Sequence, residues 1–436
     1  MTCPCNFTRA TIGRGAQSRA GHIELRNRAG ARIVMGARAQ PEFEFQAVED
    51  GDKIELGDVR IQFLETPGHT PEGISLLVFD CTQYATVPHA VLTGDTLFIG
   101  DVGRPDLLAS IGVTADELAE MLYHSLDKLR ALPDTTLVYP AHGAGSMCGK
   151  SLSTETVSTI GEQKRFNYSL QPMSLPEFKQ LVTSDQPEAP EYFVYDAIKN
   201  RQERPDLELT LSRSLKALSV DDVLQSKNQQ AQVVDVREAV DFEGVHFAGA
   251  LNIGFKGKYA TWCGAILGHD RPIVVIAEPG SEEEAVMRLG RIGFDNVVGY
   301  LAGGMAALEN RPELIRAIAR ITAHALAGRL AEQPSPFVID VRSKKEWLSG
   351  HLACSHNIPL TELQERLAEV PRDRSVVVHC EGGYRSAIAA SLLGDAGWTN
   401  VVDLVGGIKA WIASSLPTES APSDDVSTTC GTACTK

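Results

Sequence analysis

The stretch Val376-Val-Val-His-Cys380-Glu-Gly-Gly-Tyr-Arg-Ser386 decides the fold of the C-terminal part of this 436-residue chain. It begins with a short apolar run at residues 376–378 that is typical of a buried strand, and a helical pattern follows at residues 387–393. Strands and helices that alternate in this way predict an α/β domain with a parallel sheet and helices on both faces.

The same stretch predicts a reactive cysteine. At a turn from a strand to a helix, successive backbone N–H groups and the positive end of the helix converge on one point. Cys380 at that point becomes a thiolate and a nucleophile. Gly382 and Gly383 let the backbone fold tightly around the sulfur, and Arg385 adds a cationic donor.

Several motifs around this loop recur about 100 residues earlier, which predicts two copies of one domain at residues 216–315 and 316–416. Asp235 and Asp340 are 105 residues apart, and Gly304 and Gly407 are 103 apart. The recurring motifs are Val233-Val-Asp-Val-Arg237 with Val338-Ile-Asp-Val-Arg342, Gly244-Val-His246 with Gly350-His351, and Leu301-Ala-Gly-Gly304 with Leu404-Val-Gly-Gly407.

The first copy departs from the second where the chemistry is expected. Ala277 lies opposite Cys380, and it has no nucleophilic atom. The residues that follow include Glu282, Glu283 and Glu284, whose negative charges would repel an anionic substrate. Cys263 lies in a different predicted loop and is a weak substitute. The first copy is therefore predicted to lack transferase chemistry.

These motifs resemble the rhodanese family, and the second copy matches it throughout. The resemblance implies transfer of sulfane sulfur through a persulfide on Cys380, with Arg385 as the second catalytic residue. Only four residues separate Cys380 from Arg385, whereas tyrosine-phosphatase-like sites have five, and the shorter loop fits a persulfide better than a phosphate. The resemblance assigns substrate binding to Glu381, Gly382, Gly383, Tyr384 and Ser386.

The N-terminal part contains three potential metal ligands, each after a strand-like run. They lie in Thr66-Pro-Gly-His69, Thr93-Gly-Asp95 and Tyr139-Pro-Ala-His142. Loops at the ends of strands can converge on one metal ion, and two His with one carboxylate suit Zn or Fe(II).

This ordered set resembles the metallo-β-lactamase superfamily, and residues 93–107 resemble its persulfide dioxygenase branch. The resemblance implies an αββα sandwich, one Fe(II) per chain with Zn as the alternative, and O₂, a persulfide and a glutathione-like thiol as partners. His69 and Asp95 would be iron ligands, Arg104 would lie beside the thiol, and His142 would lie near the iron rather than on it.

The sandwich is expected to be incomplete. The superfamily has an upstream His-x-His-x-Asp-His motif that this sequence does not contain, and residues 1–20 do not match the family. We therefore expect a truncated or frame-shifted domain at residues 21–160 and an impaired dioxygenase. Residues 161–215 are predicted to form closing helices and a linker, and residues 417–436 a disordered tail that carries Cys430 and Cys434.

The composition of the chain argues against two classes of partner, nucleic acids and membranes. The net charge of −15 disfavours nucleic acid, and no apolar run is long enough to span a membrane. Nine cysteines, an odd number, indicate reduced thiols and a cytoplasmic location. The two resemblances imply a role in hydrogen sulfide metabolism, and a homo-oligomer is left open. Two other functions stay open: a glyoxalase-II-like thioester hydrolase, and a non-catalytic carrier of sulfane sulfur that delivers the Cys380 persulfide to partners.

Overall fold

The computed structural model divides the chain into two compact units. It describes residues 21–107, 112–143, 149–150, 153–184, 186, 192–203 and 207–420. One unit comprises the residues up to Leu209 together with Arg291–Gly293, and the other comprises Thr210–Gly290 and the residues from Phe294 onward. In the described part of the chain, no helix combines the length and the apolarity needed to cross a membrane. Residues 1–20 and the cysteines at 430 and 434 lie outside the described residues.

A six-stranded sheet forms the centre of the first unit, with the order β3-β4-β5-β6-β7-β8. Its strands are antiparallel except for the parallel pair β6 and β7. Two short strands, β1 and β2, form a separate parallel pair whose Val34 and Val48 pack against residues of β4 and β5. The strands are β1 Val34–Gly36, β2 Gln46–Val48, β3 Lys53–Leu56, β4 Val59–Glu65, β5 Ile74–Asp80, β6 Ala90–Gly94, β7 Leu137–Pro140 and β8 Ser158–Thr159.

Helices cover this sheet and close the unit. They are α1 His22–Ala29, α2 Ala115–Arg130, α3 Ile160–Phe166, α4 Leu175–Thr183, α5 Tyr192–Arg201 and α6 Leu207–Ser214, of which α6 extends into the second unit. Helix α2 connects β6 to β7, which is why these two strands are parallel. Thr114 and Glu117 form a capping box at its start, and it buries Leu118, Leu122 and Leu126 against the sheet.

Two five-stranded parallel sheets form the second unit, one in each copy of the sequence repeat. Their orders are β12-β10-β13-β14-β9 and β18-β17-β19-β20-β16, which are the same topology. The strands of the first copy are β9 Ala217–Leu218, β10 Gln232–Asp235, β11 His246–Phe247, β12 Ala250–Asn252, β13 Ile273–Ile276, β14 Val297–Leu301 and β15 Ile315–Arg316. Those of the second copy are β16 Ala319–Ile321, β17 Phe337–Asp340, β18 Ser355–Asn357, β19 Val376–His379 and β20 Val401–Leu404.

Helices flank both sheets, as the alternation of strands and helices in the sequence predicts. The helices are α7 Val220–Asn228, α8 Ala239–Gly244, α9 Tyr259–Ile266, α10 Glu282–Arg291, α11 Ala323–Leu330, α12 Lys344–Ser349, α13 Tyr384–Asp395 and α14 Gly407–Ala413. The central strands β13 and β19 are buried at every position, as their Val/Ile runs require. A loop that follows β19 therefore begins from a strand with a neighbouring strand on each side.

The chain beyond α14 differs from the predicted disordered tail in its first residues. Glu419 exchanges both backbone hydrogen bonds with His351, and Trp411 Nε1 donates to the carbonyl of Pro417. Residues 417–420 are thus attached to the second copy, and residues 421–436 lie outside the described residues.

Candidate functional site

Cys380 follows the last residue of β19, and helix α13 begins four residues later. Its side chain is 2% exposed. The backbone N–H of Gly383 donates to Cys380 Sγ at 3.1 Å, and the thiol donates to Ser386 Oγ at 3.6 Å. A backbone donor and the first turn of a helix therefore face the sulfur, an arrangement that stabilises negative charge on it.

Arg385 is held by a carboxylate outside the loop. Its guanidinium donates to both oxygens of Glu346, at 2.7 and 2.6 Å. Hydrogen bonds from Arg385 lower the pKa of Glu346 to about 2, and the hydroxyl of Ser343 in the capping box of α12 acts in the same direction. The sequence predicted Arg385 as a donor to the substrate, whereas the structure places its guanidinium on Glu346. We infer that this ion pair fixes α12 against the loop.

The other predicted cradle residues have different surroundings. Glu381 is exposed and pairs with Lys409 at 2.9 Å, while Gly382 is exposed at the tip of the loop. The hydroxyl of Tyr384 donates to the carbonyl of Gly254 in the first copy, at 2.8 Å. Tyr384 therefore ties the loop of the second copy to the first copy.

The backbone at Gly407 packs closely against the backbone of the Cys380 loop. The N–H of Ile408 donates to the carbonyl of Cys380 at 2.9 Å, and a Cβ on Gly407 would lie 2.4 Å from that carbonyl oxygen. Gly407 also has φ +57°, which disfavours any other residue. Gly304 has the same φ, and a Cβ on it would meet the carbonyl of Ala277 at 2.7 Å, which explains the Gly-Gly pair in both copies.

Gly407→Ala is expected to destabilise the second copy by about 2–5 kcal/mol, because it adds a left-handed residue and a clash with backbone that cannot move aside. The shift of the urea midpoint measures this effect. Gly394→Ala is the matched control, since Gly394 is exposed in α13 with open space around its Cβ position. The control should be neutral or slightly stabilising, and equal losses from both variants would contradict the explanation.

The first copy has the same loop position without the chemistry. Ala277 follows β13 where Cys380 follows β19. Cys263, predicted to lie in a loop, is instead part of helix α9 and is fully buried. Burial raises the pKa of the Cys263 thiol far above its usual range, so the thiol stays protonated and inert.

In the first unit, the three potential metal ligands follow three strands of the six-stranded sheet, of which β6 and β7 are neighbours. His69 follows β4, Asp95 follows β6 and His142 follows β7, and all three side chains are largely buried. Nε2 of His142 lies 3.1 Å from Oδ1 of Asp95. Nδ1 of His69 lies 2.9 Å from the carbonyl oxygen of Arg104, a contact that orients the ring.

The Gly103-Arg104 pair packs directly against these residues. A Cβ on Gly103 would lie 1.8 Å from the carbonyl oxygen of Asp95 and 3.1 Å from Cβ of His69. The backbone at Gly103 is therefore packed too closely against both residues to leave room for a side chain. Arg104 is 2% exposed and its Nε donates to Asp106 at 2.8 Å. Arg104, which the resemblance places beside the thiol, is thus next to the predicted metal ligands.

These residues do not by themselves form a complete metal site. Among the described residues, no group of three or more His, Cys, Asp or Glu side chains is arranged to hold a metal ion. Asp95 and His142 approach each other, but a pair of side chains without a third ligand binds iron or zinc weakly. The described part of the domain therefore does not fit a tightly held metal.

Sequence reasoning missed three residues near Cys380. His379 is fully buried, with Nδ1 3.4 Å from the carbonyl oxygen of Cys380 and Nε2 3.7 Å from Oδ2 of Asp340. The other two are Glu346, which pairs with Arg385, and Asp403, which is the register partner of Val378. A signal existed for His379 and Asp403, because the first copy has Ile276 and Tyr300 at the equivalent positions.

Both the N-terminal and the C-terminal part of the chain match known protein families. Residues 219–311 and 322–414 each match the rhodanese-like domain, and residues 9–142 match the metallo-beta-lactamase superfamily. The second match includes residues 9–20, which the sequence analysis had left unmatched. A sulfurtransferase of Allochromatium vinosum is 34% identical over 97 residues, which are 22% of this chain and 91% of that protein. The mitochondrial persulfide dioxygenase ETHE1 of Bos taurus is 33% identical over 137 residues, which are 31% of this chain and 44% of that protein.

A solved structure has a similar fold over two thirds of the chain. A metallo-beta-lactamase of Staphylococcus aureus superposes with a TM-score of 0.56 and 27% identity, covering 67% of this chain and 82% of the other. The chain spans about half the length of the curated relatives that its N-terminal part matches, 56% and 44% in two cases.

The fold and the matches define a protein in which a metallo-beta-lactamase domain is followed by two rhodanese domains. The chain belongs to the rhodanese family, since it covers nearly all of a sulfurtransferase to which it is 34% identical.

Proposed function

We propose that this protein is a sulfurtransferase that carries sulfane sulfur as a persulfide on Cys380. One observation carries the proposal: Cys380 Sγ accepts a hydrogen bond from the Gly383 N–H and lies at the start of α13. Both features stabilise a thiolate. The thiolate attacks the outer sulfur of a donor, and the donor S–S bond breaks. The donor leaves as a thiolate or as sulfite, and an acceptor nucleophile later takes the outer sulfur from Cys380.

The charges around the loop favour a persulfide donor over thiosulfate. Arg385 is paired with Glu346, and Lys409 is paired with Glu381. Arg385 and Lys409 thus each face a carboxylate, and the donor that the structure shows at the sulfur is the backbone N–H of Gly383. A low-molecular-weight persulfide carries less negative charge at its reacting end than thiosulfate and suits such a site better.

Sulfur loading tests this proposal directly. The full chain is incubated with glutathione persulfide or thiosulfate, desalted, and digested for mass spectrometry of the Cys380 peptide. We expect one added sulfur atom on Cys380, its release by cyanide with repeated turnover, and a higher rate with the persulfide. Loading that cyanide removes once, without turnover, would contradict a transferase and support the sulfur carrier.

We further propose that the N-terminal domain is of the persulfide dioxygenase type and that its activity is impaired. The similarity to a persulfide dioxygenase supports the type. The impairment is supported by the described residues, among which no group of three or more His, Cys, Asp or Glu side chains is arranged to hold a metal ion. Iron would be the expected metal, with zinc as the alternative, and a glutathione-like thiol the expected cosubstrate.

Metal analysis and oxygen uptake test the impairment. We expect well under one iron per purified chain, and slow oxygen uptake with glutathione persulfide even after addition of ferrous iron. Stoichiometric iron with rapid uptake would overturn this part of the proposal. Hydrolysis of a glutathione thioester, measured in parallel, would instead support the thioester hydrolase.

A further inference from the structure

Helix α13, whose first turn faces the reactive sulfur, is enclosed by both rhodanese domains. Its residues 386–393 are all buried. The helix packs on β19 and β20 of its own sheet and on β12 of the first domain. Strand β12 is at the edge of its sheet, so the backbone groups on its outer side need partners from outside that sheet. Helix α13 is the element of the second domain that covers this edge.

Two residues on one face of α13 make hydrogen bonds to the backbone of the first domain. Tyr384 and Ser391 are seven positions apart, which places them on the same face of the helix, two turns from each other. The hydroxyl of Tyr384 donates to the carbonyl of Gly254 at 2.8 Å, and Oγ of Ser391 accepts from the N–H of Asn252 at 3.0 Å. The first domain therefore holds α13 at its start and again two turns later.

The contact at Tyr384 is the one next to the Cys380 loop, and it includes the aromatic ring. A Cβ on Gly257 would lie 2.5 to 3.0 Å from three ring atoms of Tyr384, so the ring can take this position only because residue 257 is a glycine. Backbone hydrogen bonds fix this part of the first domain: the N–H of Phe255 donates to the carbonyl of Val236 at 3.1 Å, and the N–H of Gly257 to the carbonyl of Phe255 at 2.9 Å. The ring of Tyr384 thus packs on backbone that is itself held in place.

The N–H that donates to the sulfur moves with the first turn of α13. A Cβ on Gly382 or on Gly383 would meet no atom of the described chain within 4 Å, apart from its own neighbours, so packing does not hold either residue. The carbonyl of Gly383 instead accepts hydrogen bonds from the N–H of Ala387 at 3.1 Å and from Oγ of Ser386 at 3.0 Å. A shift of this turn therefore displaces the Gly383 N–H from Cys380 Sγ.

The first domain provides an internal comparison for this loop. At the positions of Gly383 and Tyr384 it has Gly280 and Ser281. Gly280 and Gly383 both have positive φ, +94° and +117°, and the N–H of Gly280 also has an acceptor close by, Oε2 of Glu282 at 2.7 Å. The two loops thus share the glycine conformation and the donor, but a serine is too short to make the contacts of Tyr384. The long aromatic residue is present in the domain that has the nucleophile.

We propose that the first rhodanese domain, which has no nucleophile of its own, sets the reactivity of Cys380 by holding Tyr384 and with it the first turn of α13. Tyr384 and Gly257 are positioning residues that act through the Gly383 N–H. A fixed donor at the sulfur favours the thiolate over the thiol, and the thiolate is the form that reacts. The inference rests on the proposed role of Cys380 as the sulfur carrier.

The pH dependence of Cys380 alkylation by iodoacetamide tests this inference in the full-length chain. The rate is followed at the Cys380 peptide by mass spectrometry from pH 5 to 10, with circular dichroism to verify folding. Tyr384→Phe keeps the ring and removes the hydroxyl that donates to Gly254. We expect the pH of half-maximal rate to rise and the rate at pH 7 to fall about threefold or more, because a hydrogen bond that holds the turn is lost.

Gly257→Ala tests the same contact from the domain without the nucleophile. The added methyl group displaces the ring of Tyr384, and we expect alkylation at pH 7 to slow about fivefold with the same rise in the pH of half-maximal rate. Gly244→Ala is the matched control, since Gly244 lies in the same domain, is exposed, and has open space at its Cβ position. Its profile should equal that of the unmodified chain. An unchanged profile in both Tyr384→Phe and Gly257→Ala would overturn the proposal.

A double substitution shows whether Gly257 acts through Tyr384. Tyr384→Ser gives the loop the residue of the first domain and removes the ring that an alanine at position 257 would displace. In that background, Gly257→Ala should change the alkylation rate less than about 1.5-fold, because two substitutions that act on one contact are not additive. Equal slowing by Gly257→Ala with and without the ring would mean a general structural effect and would overturn the proposal.

Amide hydrogen exchange provides a measurement that needs only the unmodified chain and Tyr384→Phe, should Gly257→Ala not fold. Peptides that cover residues 381–387 should lose protection in Tyr384→Phe, while peptides that cover β20 should keep it. Equal protection of residues 381–387 in both chains would overturn the proposal. Alkylation and exchange need no sulfur donor, so a chain that shows the expected profiles but does not transfer sulfur would refute only the proposed function.

Discussion

Cys380→Ser is expected to lower the rate of sulfur transfer by about a thousandfold or more, because a serine hydroxyl is neither ionised nor able to hold a persulfide. The sulfur atom is buried and accepts a hydrogen bond from the Gly383 N–H. Serine is close to cysteine in volume, so the replacement changes the nucleophile and leaves the packing nearly the same. The measurement is the rate of sulfur transfer to cyanide from glutathione persulfide, with circular dichroism to verify folding.

Cys263→Ser is the matched control for this experiment. Cys263 is also buried, but in helix α9, where its thiol stays protonated. A buried hydroxyl in its place costs about 1–3 kcal/mol of stability but should change the transfer rate less than twofold. Retention of a tenth of the rate in Cys380→Ser, or an equal loss in Cys263→Ser, would assign the chemistry elsewhere.

The elements that local sequence specifies were predicted well. The fusion of a metallo-beta-lactamase domain with two rhodanese domains is confirmed. Strand β19, the Cys380 loop and helix α13 are contiguous in the chain, and an apolar run, two glycines and a helical pattern describe them completely. The repeat was visible for a similar reason, since its motifs lie where buried strands end, as in Asp-Val-Arg and Gly-Gly, or where a short helix ends, as in Gly-His.

The contacts that complete the site come from distant positions, and no local pattern reveals them. Arg385 and Glu346 are 39 residues apart, and Tyr384 reaches Gly254 across 130 residues. The pairing of Arg385 depends on where α12 packs, which the order of strands in the sheet decides. Cys263 was assigned to a loop because its surroundings, Tyr259–Ile266, form a short helix without a side-chain cap at its start.

The Asp-Val-Arg motif also has a structural explanation that the sequence did not reveal. In the second rhodanese domain, Arg342 donates from Nε and Nη2 to Asp340, and its Nη2 also donates to the carbonyl of Gly350. Asn357 donates to the carbonyls of both Asp340 and Arg342. The first domain repeats the arrangement with Asp235, Arg237, Val245 and Asn252. The motif thus closes the end of strands β17 and β10 with a buried ion pair.

Asp340→Asn is expected to destabilise the second rhodanese domain by about 3–5 kcal/mol, because it leaves the buried Arg342 guanidinium without its counter-charge. Asp235→Asn should cost the first domain a similar amount through Arg237. Urea unfolding followed by fluorescence measures both effects. Glu362→Gln, at the exposed pair with Arg366, is the control and should produce no measurable shift of the midpoint.

The two substitutions should differ in their effect on catalysis. Asp340 is the register partner of His379, the residue before Cys380, and its Oδ2 lies 3.7 Å from Nε2 of that histidine. Its loss therefore disturbs the strand end that holds the nucleophile. Asp235 is the register partner of Ile276, which precedes Ala277. Under conditions in which both variants remain folded, sulfur transfer should fall in Asp340→Asn and stay near the unmodified rate in Asp235→Asn. Equal losses of activity would mean that the ion pair acts only through global stability, and that the end of β19 has no separate role in positioning Cys380.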